Sequence, residues 1–417
     1  MTDGYDALIV NTPQELKKVL VLAMKKVRYQ LEVKHNTKQK GIFVWGEMGI
    51  GKDEIMDEAT YEVYGNDAFI IDLRLAGREP VDVLGIPDLK YLIRWKENKD
   101  SDYTKQQYLN KDLAVELLRQ LGADRVSIGA GRTVFNPTFP DLAGRKGVIK
   151  FGELNLGAVA TQHAAYSWIY DRFVGDTHLP DTVQILANGN TRSSRAGVRE
   201  VPAPLLNRFR HIEIRPPKRE YDNLVEWVES WTNYMIARGG DPRVIAYINT
   251  YPDDLYLYDE KKVERAFATP RTWTFLSDDI SGIEDLDTLE QLSAMHIGTG
   301  LAHKFASFVR FSQEFDLDKL YKYPEKTMGD FDKWEVSKKY AYVLAYSNDL
   351  LSKFHKATTD KEKDNIAKLY IDILALTPVE FKILGIKLGS TSKELRQKWI
   401  SSQYFTRKLG DVLKYIG

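Results

Sequence analysis

A glycine-rich segment that follows an apolar run constrains this chain more than any other feature. The segment reads G-E-M-G-I-G-K-D, from Gly46 to Asp53, and comes directly after the apolar stretch Ile42–Trp45. It matches the phosphate-binding loop G-x-x-x-x-G-K-[ST] at both glycines and at the lysine. An ordinary glycine turn is the plainer alternative, but the flanking strand and helix patterns favour a loop whose backbone N–H groups bind phosphates. The candidate nucleotide-binding residues are Gly46, Glu47, Met48, Gly49, Ile50, Gly51, Lys52 and Asp53.

Two positions near this loop depart from the expected pattern. Ser or Thr normally ends the motif and presents a hydroxyl to Mg²⁺, and here Asp53 takes that place. The apolar run Val148–Phe151 ends in Gly152-Glu153, where a phosphate-loop protein normally has Asp-Glu. The missing aspartate would organise Mg²⁺, whereas Glu153 is retained as a candidate catalytic residue that polarises the attacking water. Lys150 lies two residues before Gly152 and therefore on the same face of the predicted strand.

These departures leave two interpretations open. In the first, Asp53 supplies the carboxylate lost at Gly152 and holds Mg²⁺ together with ATP. Without the ion, like charges about 4 Å apart cost about 4 kcal/mol at an effective dielectric of 20, so ATP binding would depend steeply on Mg²⁺. In the second, the Lys150 ammonium pairs with Asp53 directly and leaves a slow or inactive site.

Short apolar runs alternate with helical patterns between residue 41 and Pro216–Pro217, which predicts an α/β architecture with a parallel sheet. A capping box at Thr12, with Pro13 and Glu15, predicts the first helix. The polar segment from Tyr91 to about Arg132 is long for a loop, and we expect it to have a function or structure of its own. After the two prolines the pattern is helical. The predicted strands are Ile42–Trp45, Ala68–Leu73, Val148–Phe151, Val183–Ala187 and Ile212–Ile214.

Three further polar residues are candidates for the same site. Asn190 follows the fourth predicted strand together with Asn188, and either residue could contact a nucleotide or simply form a turn. Arg208, in N-R-F, could reach the nucleotide of a neighbouring subunit as an arginine finger. Arg271 follows Pro270 at a predicted helix start, where an arginine is usually a surface residue.

Taken in order, these motifs resemble the MoxR-type branch of the AAA+ ATPases of phage and bacterial genomes. The resemblance covers about residues 12–280 and extends more weakly to the end of the chain. It implies an AAA+ P-loop parallel sheet flanked by helices over residues 1–215, with an insertion at about 90–134, then an all-α lid over 216–300 and a helical C-terminal extension over 301–417. By this resemblance Asn190 is the first sensor, Arg208 the finger and Arg271 the second sensor. Its other segments are Leu73–Pro87, Phe135–Pro140, Ala164–Asp181, Asn207–Phe209 and Thr269–Trp273.

The resemblance also implies a function. Such proteins bind and hydrolyse ATP with Mg²⁺ in a homo-oligomeric ring, usually a hexamer, that remodels or assembles a protein partner. Many act on a protein with a von Willebrand factor A domain, and the insertion lies near the central pore. The alternatives are a non-hydrolysing ring that acts as a scaffold and a motor that acts on single-stranded DNA.

Composition limits the partners and the chemistry. The chain has 59 Lys+Arg and 59 Asp+Glu, and this balance weakens any role in which the whole surface binds nucleic acid or an anionic membrane. Aromatic and basic residues interleaved around Tyr91–Tyr108 keep single-stranded DNA open as an alternative. The absence of cysteine excludes disulfides and thiol catalysis. With neither a signal-peptide pattern nor a long apolar run, we expect a cytoplasmic protein.

Overall fold

The computed structural model describes residues 7–36, 38–136, 142, 144–174, 177–191, 199–259, 261, 265–410 and 412. Contacts between residues divide the chain into two compact units. The first comprises Glu15–Glu47 and Lys52–Ile214 together with the N-terminal strand. The second comprises Asn11–Gln14, Met48–Gly51 and the residues from Arg215 onwards.

A parallel β-sheet forms the centre of the first unit. Its described strands run in the order β1-β11-β2-β10-β7-β3, and each neighbouring pair is parallel. The strands β2, β7 and β10 are buried along their whole length, as parallel strands are when both faces of the sheet are covered. The bounds are β1 (Leu8–Val10), β2 (Gly41–Gly46), β3 (Phe69–Asp72), β7 (Gly147–Phe151), β10 (Val183–Asn190) and β11 (Phe209–Ile214).

Helices alternate with these strands, which confirms the predicted α/β fold class, a P-loop parallel sheet flanked by helices. Aromatic side chains such as Phe43, Phe151 and Trp168 are buried in the core of this unit. All five predicted strands are present, although β10 ends and β11 begins three residues beyond the predicted limits. The sequence pattern missed β1. The helices are α1 (Pro13–Arg28), α2 (Lys52–Tyr64), α3 (Pro80–Leu84), α5 (Val159–Tyr166) and α6 (Ala203–Leu206).

The polar segment between α3 and β7 has structure of its own. Its described strands β4 (Ile86–Trp95), β5 (Lys105–Asn110) and β6 (Val126–Asn136) form an antiparallel sheet in the order β5-β4-β6. The helix α4 (Lys111–Leu121) packs against this sheet around a small core of Ile93, Ala114 and Val126. Residues 137–140, which end the predicted segment Phe135–Pro140, lie outside the described residues. A short antiparallel pair follows α5, formed by β8 (Phe173–Val174) and β9 (Thr177–His178).

The second unit is helical, as the fold class predicted. One hydrophobic cluster extends from Leu224 to Val412 and buries large side chains that include Trp273 and Trp399. The predicted boundary near residue 300 falls inside this cluster. The described helices are α7 (Leu224–Arg238), α8 (Pro242–Thr250), α9 (Pro270–Asp279), α10 (Leu286–Ile297), α11 (Thr299–Gln313), α12 (Leu317–Lys322), α13 (Pro324–Met328), α14 (Val336–Lys356), α15 (Asp360–Ala375), α16 (Val379–Gly389), α17 (Lys393–Ile400) and α18 (Gln403–Leu409).

None of the helices in the described ranges combines the length and the apolar character needed to cross a bilayer.

Candidate functional site

The predicted phosphate loop lies between β2 and α2. Gly49 and Gly51 have φ angles of 73° and 78°, a left-handed conformation that glycine adopts without steric cost. Lys52 begins α2 and is buried. Its Nζ atom donates to the carbonyl oxygens of Gly46 and Glu47 at 2.9 and 2.7 Å, and to Oδ1 of Asn190 at 3.2 Å. The ammonium is therefore held at the base of the loop by oxygen acceptors, the type of partner that a phosphate would offer.

Asn190 is held in the sheet beside this lysine. It belongs to β10, where it is paired with Gly46 of β2, so a turn conformation is wrong for this residue. The side chain of Asn155 forms two hydrogen bonds with the backbone of Asn190. Its Nδ2 donates to the Asn190 carbonyl at 2.7 Å, and its Oδ1 accepts from the Asn190 N–H at 3.1 Å. This arrangement aims the Asn190 side chain at Lys52. Its role as a sensor stays a prediction.

Asn188 connects the start of α2 to the candidate catalytic glutamate. Its Nδ2 donates to Oδ1 of Asp53 at 2.7 Å, and its Oδ1 accepts from the backbone N–H of Glu153 at 2.8 Å. Glu153 has φ 52° and ψ 41°, a left-handed conformation that is costly for a residue with a Cβ and is often found at functional sites. Among the described residues its carboxylate has no hydrogen-bond or ion-pair partner. Asn188 thus holds Glu153 in a strained conformation with a carboxylate that is available to a water molecule.

A buried ion cluster surrounds Lys150. Its Nζ lies 2.9 Å from Oδ1 of Asp57, 3.3 Å from Oδ1 of Asp53 and 3.7 Å from Oδ2 of Asp72, and its side chain is 3% exposed. Asp57 is one helical turn after Asp53 on α2, and Asp72 is the parallel neighbour of Lys150 on β3. Burial by itself lowers the pKa of Lys150, but the three carboxylates more than offset it, so the pKa is raised and the ammonium stays charged.

The position of Gly152 is crowded by the side chains of Asp72 and Arg74. A Cβ atom there would lie 2.9 Å from Oδ1 of Asp72 and 3.0 Å from Cγ of Arg74. Arg74 and Asp72 themselves form an ion pair at 3.3 Å. The carboxylate of Asp72 therefore occupies the space into which a side chain at position 152 would extend.

The residues at these positions do not fit the usual magnesium site of a phosphate-loop protein. The hydroxyl is replaced by the Asp53 carboxylate, whose Oδ1 is already engaged by the Lys150 ammonium and the Asn188 amide. Position 152 contributes no side chain. Within the described residues, no group of three or more His, Cys, Asp or Glu side chains is arranged to hold a metal. The structure therefore gives Asp53 other partners than the Mg²⁺ ion predicted from the sequence.

Arg208 lies apart from these residues, in the turn between α6 and β11. Its guanidinium stacks over the rings of Tyr166 and Tyr170, with centroid distances of 4.6 and 4.1 Å, and donates to the carbonyl of Pro204 at 2.6 Å. Its Nε is buried and has no hydrogen-bond partner among the described residues. The structure does not bring Arg208 to the phosphate loop of its own chain, which is compatible with a role across a subunit interface.

Arg271 is the second residue of α9 in the second unit, which also includes the loop residues 48–51. Thr269 caps the helix by accepting from the Thr272 N–H at 3.2 Å, and the Arg271 N–H donates to the Gly49 carbonyl at 3.0 Å. A Cβ atom at Gly49 would lie 2.6 Å from Oγ1 of Thr269, so only glycine fits this contact. The exposed Arg271 side chain is therefore anchored beside Gly49 through its backbone. Its role as a second sensor stays a prediction.

Sequence reasoning missed several residues of this site. Asp57 could have been found, because it follows Asp53 at the four-residue spacing that places two side chains on one helix face. Asp72 could not, because its proximity to Lys150 depends on the pairing of β3 with β7. Asn155, Tyr166 and Tyr170 belong to no sequence motif that would have pointed to them.

No family model and no curated protein match this chain. Among solved structures, it is similar to NtrX from Brucella abortus, with 13% identity and a TM-score of 0.31 over 85% of this chain and 68% of that chain. It is also similar to the RuvB Holliday junction branch migration motor of Thermotoga maritima, with 16% identity and a TM-score of 0.30 over 78% of this chain and 86% of that chain. Similarity at these TM-scores carries no weight for function, which has to be inferred from the residues of this chain.

Proposed function

We propose that this chain is an AAA+ ATPase of the MoxR type that binds and hydrolyses ATP at the loop Gly46–Lys52. The observation that carries the proposal is the position of Lys52, held against Gly46, Glu47 and Asn190 where the parallel strands β2 and β10 end. Open α/β sheets bind their ligands at the carboxyl ends of the strands. A strand, a loop with two left-handed glycines and a helix meet at this end of the sheet.

The loop, Glu153 and Asn190 each have a role in this proposal. Backbone N–H groups of residues 48–52 and the N-terminus of α2 bind the phosphates, and Lys52 exchanges its carbonyl acceptors for phosphate oxygens. The Glu153 carboxylate orients and polarises the attacking water, while Asn190 contacts the γ-phosphate. Mg²⁺ ordinarily supplies charge neutralisation in this reaction, but the residues at positions 53 and 152 do not fit it, and no step here depends on it.

The test is ATP binding and phosphate release by the purified chain and two variants. Lys52→Ala should lose binding, whereas Glu153→Gln should keep binding and lose turnover. Lys146→Ala and Glu226→Gln, which change exposed side chains outside the site, are the matched controls. If the wild-type chain does not bind ATP, or if Lys52→Ala binds it equally well, the proposal is wrong.

The proposal extends to the assembly. In a homo-oligomeric ring, Arg208 acts on the nucleotide of the neighbouring subunit and the assembly remodels a protein partner. Support comes from the contacts of Arg208 with Tyr166 and Tyr170, away from its own loop, and from the sequence resemblance. Light scattering on the chain with and without ATP tests the ring, since a chain that remains monomeric with bound ATP would contradict it.

A second candidate function is a ring that binds ATP as a scaffold without hydrolysing it. The contact between Lys150 and Asp53 favours it, because an ammonium there replaces an ion that supports hydrolysis. The same experiment separates the two functions. A scaffold would bind ATP, and its phosphate release would stay at the level of Glu153→Gln.

A further inference from the structure

We propose that the Lys150 ammonium takes over the part of the divalent cation in nucleotide binding, so that this site binds ATP without Mg²⁺. The inference rests on the proposed ATP binding at the loop Gly46–Lys52. It concerns a residue to which the phosphate-loop motif assigns no role. Its basis is the placement of a fixed positive charge beside the position that normally holds the ion.

The location of the ammonium supports this role. In the phosphate-loop motif the side chain that follows the lysine presents its oxygen to Mg²⁺. Here that side chain is Asp53, and its Oδ1 lies 3.3 Å from Nζ of Lys150. A cation therefore already lies beside the oxygen that normally faces Mg²⁺, and it is covalently part of the chain.

The ammonium is a fixed part of the sheet and not a surface group that happens to lie nearby. Lys150 comes from the buried strand β7, and Asp57 anchors its Nζ at 2.9 Å. Mg²⁺ requires oxygen ligands at about 2.0–2.1 Å in nearly octahedral geometry. An ion that close to Oδ1 of Asp53 would compete with both the Lys150 ammonium and the Asn188 amide, which lies at 2.7 Å.

The charge balance removes the reason to expect a requirement for Mg²⁺. From the sequence, Asp53 would repel the phosphates unless an ion neutralised it. In the structure Oδ1 of Asp53 already has Lys150 and Asn188 as partners, and Arg74 pairs with Asp72 at 3.3 Å. The triphosphate therefore meets a loop whose nearest acid is already paired with an ammonium group of the same chain.

The contacts of Lys150, Asp53 and Gly152, the three unusual residues, also explain one another. Burying a lysine is costly unless it is paired, and Asp53 is one of its partners. Gly152 leaves space for Asp72, another partner of Lys150, which a side chain at this position would meet.

The experiment measures the dissociation constant of a fluorescent N-methylanthraniloyl-ATP in excess Mg²⁺ and in excess EDTA. For the wild-type chain we expect the two constants to agree within about threefold. Lys150→Met should bind more weakly in EDTA by roughly tenfold or more and recover with Mg²⁺. Lys150→Arg keeps the charge and should behave like the wild type, as should the control Lys146→Met, whose side chain is exposed.

A second variant covers the case in which Lys150→Met does not fold. The double substitution Asp53→Thr with Lys150→Met restores the hydroxyl of the motif and removes the ammonium, so its binding should require Mg²⁺. The proposal is overturned if the wild-type chain binds the nucleotide in Mg²⁺ and loses it in EDTA. Absence of binding in both conditions would instead contradict the proposed ATP binding itself.

Discussion

The loop half of the candidate site, Gly46–Lys52, has both glycines and the lysine of the phosphate-binding motif. The other half, which normally organises Mg²⁺, has neither the hydroxyl expected at position 53 nor the carboxylate expected at position 152. In the loop half, Lys52 is held by groups that a phosphate can replace. In the other half, Lys150 is surrounded by acids of its own chain. The comparison teaches that the glycines and lysine of the motif can be retained while both residues expected to organise Mg²⁺ are different.

The largest effect expected concerns hydrolysis, the step that needs both halves. Glu153→Gln should lower phosphate release by about 10²–10⁴-fold, because an amide cannot take up the proton of the attacking water. The affinity for ATP should stay within about twofold, since the carboxylate is not among the groups that bind phosphate. Phosphate release under saturating ATP measures this, with Glu226→Gln as the control. Equal rates for Glu153→Gln and the wild type would mean that the chain is a scaffold.

The loop half should contribute most of the affinity for ATP. Hydrogen bonds to a charged group contribute about 1.5–3 kcal/mol, so Lys52→Ala should weaken ATP binding by at least roughly tenfold. The loss should be the same in Mg²⁺ and in EDTA, because Lys52 does not belong to the Lys150 cluster. Calorimetric titration measures it, with Lys146→Ala as the control. A loss confined to one of the two conditions would show that the halves are not independent.

Restoring the motif at one position should not restore the magnesium site. Gly152→Asp introduces a Cβ atom 2.9 Å from the Asp72 carboxylate, so we expect it to lower the free energy of unfolding by about 1–3 kcal/mol. Removing the obstacle, in Gly152→Asp with Asp72→Ala, should recover part of that loss. Urea unfolding measures both variants. A Gly152→Asp variant as stable as the wild type would show that the space at position 152 is free.

The smallest effect expected concerns the excess of acids around Lys150. Burial raises the pKa of the Asp57 carboxyl, and Asp53 and Asp72 raise it further against the attraction of Lys150. The folded state therefore opposes ionisation of Asp57, and stability is lost as the pH rises through its folded pKa.

Asp57→Asn should then increase the free energy of unfolding at neutral pH by less than about 1 kcal/mol. The gain should vanish below the usual pKa of 3.8, where Asp57 is protonated in both states. Urea unfolding at several pH values measures it, and a stability loss at neutral pH would contradict this sign.

The sequence predicted those parts of the fold that depend on local pattern. A strand, a glycine loop and a helix around Lys52 follow from residue types at fixed spacings, and the alternation of apolar runs predicted the parallel sheet. The short strand β1 and the full length of β10 were missed because pairing with other strands decides them. Asn190 is part of a strand because Gly46 and Asn155 bind its backbone, a condition that no local pattern expresses.

The site was predicted only as far as its residues are close in the chain or belong to a motif. A contact between Lys150 and Asp53 was one of two open interpretations, since the side of the strand was known and the packing of α2 was not. The register of β3 against β7 brings in Asp72, and the face of α2 brings in Asp57. These contacts change the expected dependence on Mg²⁺, because they neutralise Asp53 within the chain.

The most direct test of an internal cation is a crystal structure of the chain with ATP and Mn²⁺, an ion that substitutes for Mg²⁺ and is located by its anomalous scattering. We predict a triphosphate on the loop Gly46–Lys52, Lys150 still within hydrogen-bonding distance of Asp53 and Asp57, and no Mn²⁺ peak beside Asp53. A Mn²⁺ peak between Asp53 and the phosphates, with Lys150 displaced from Asp53, would contradict the account.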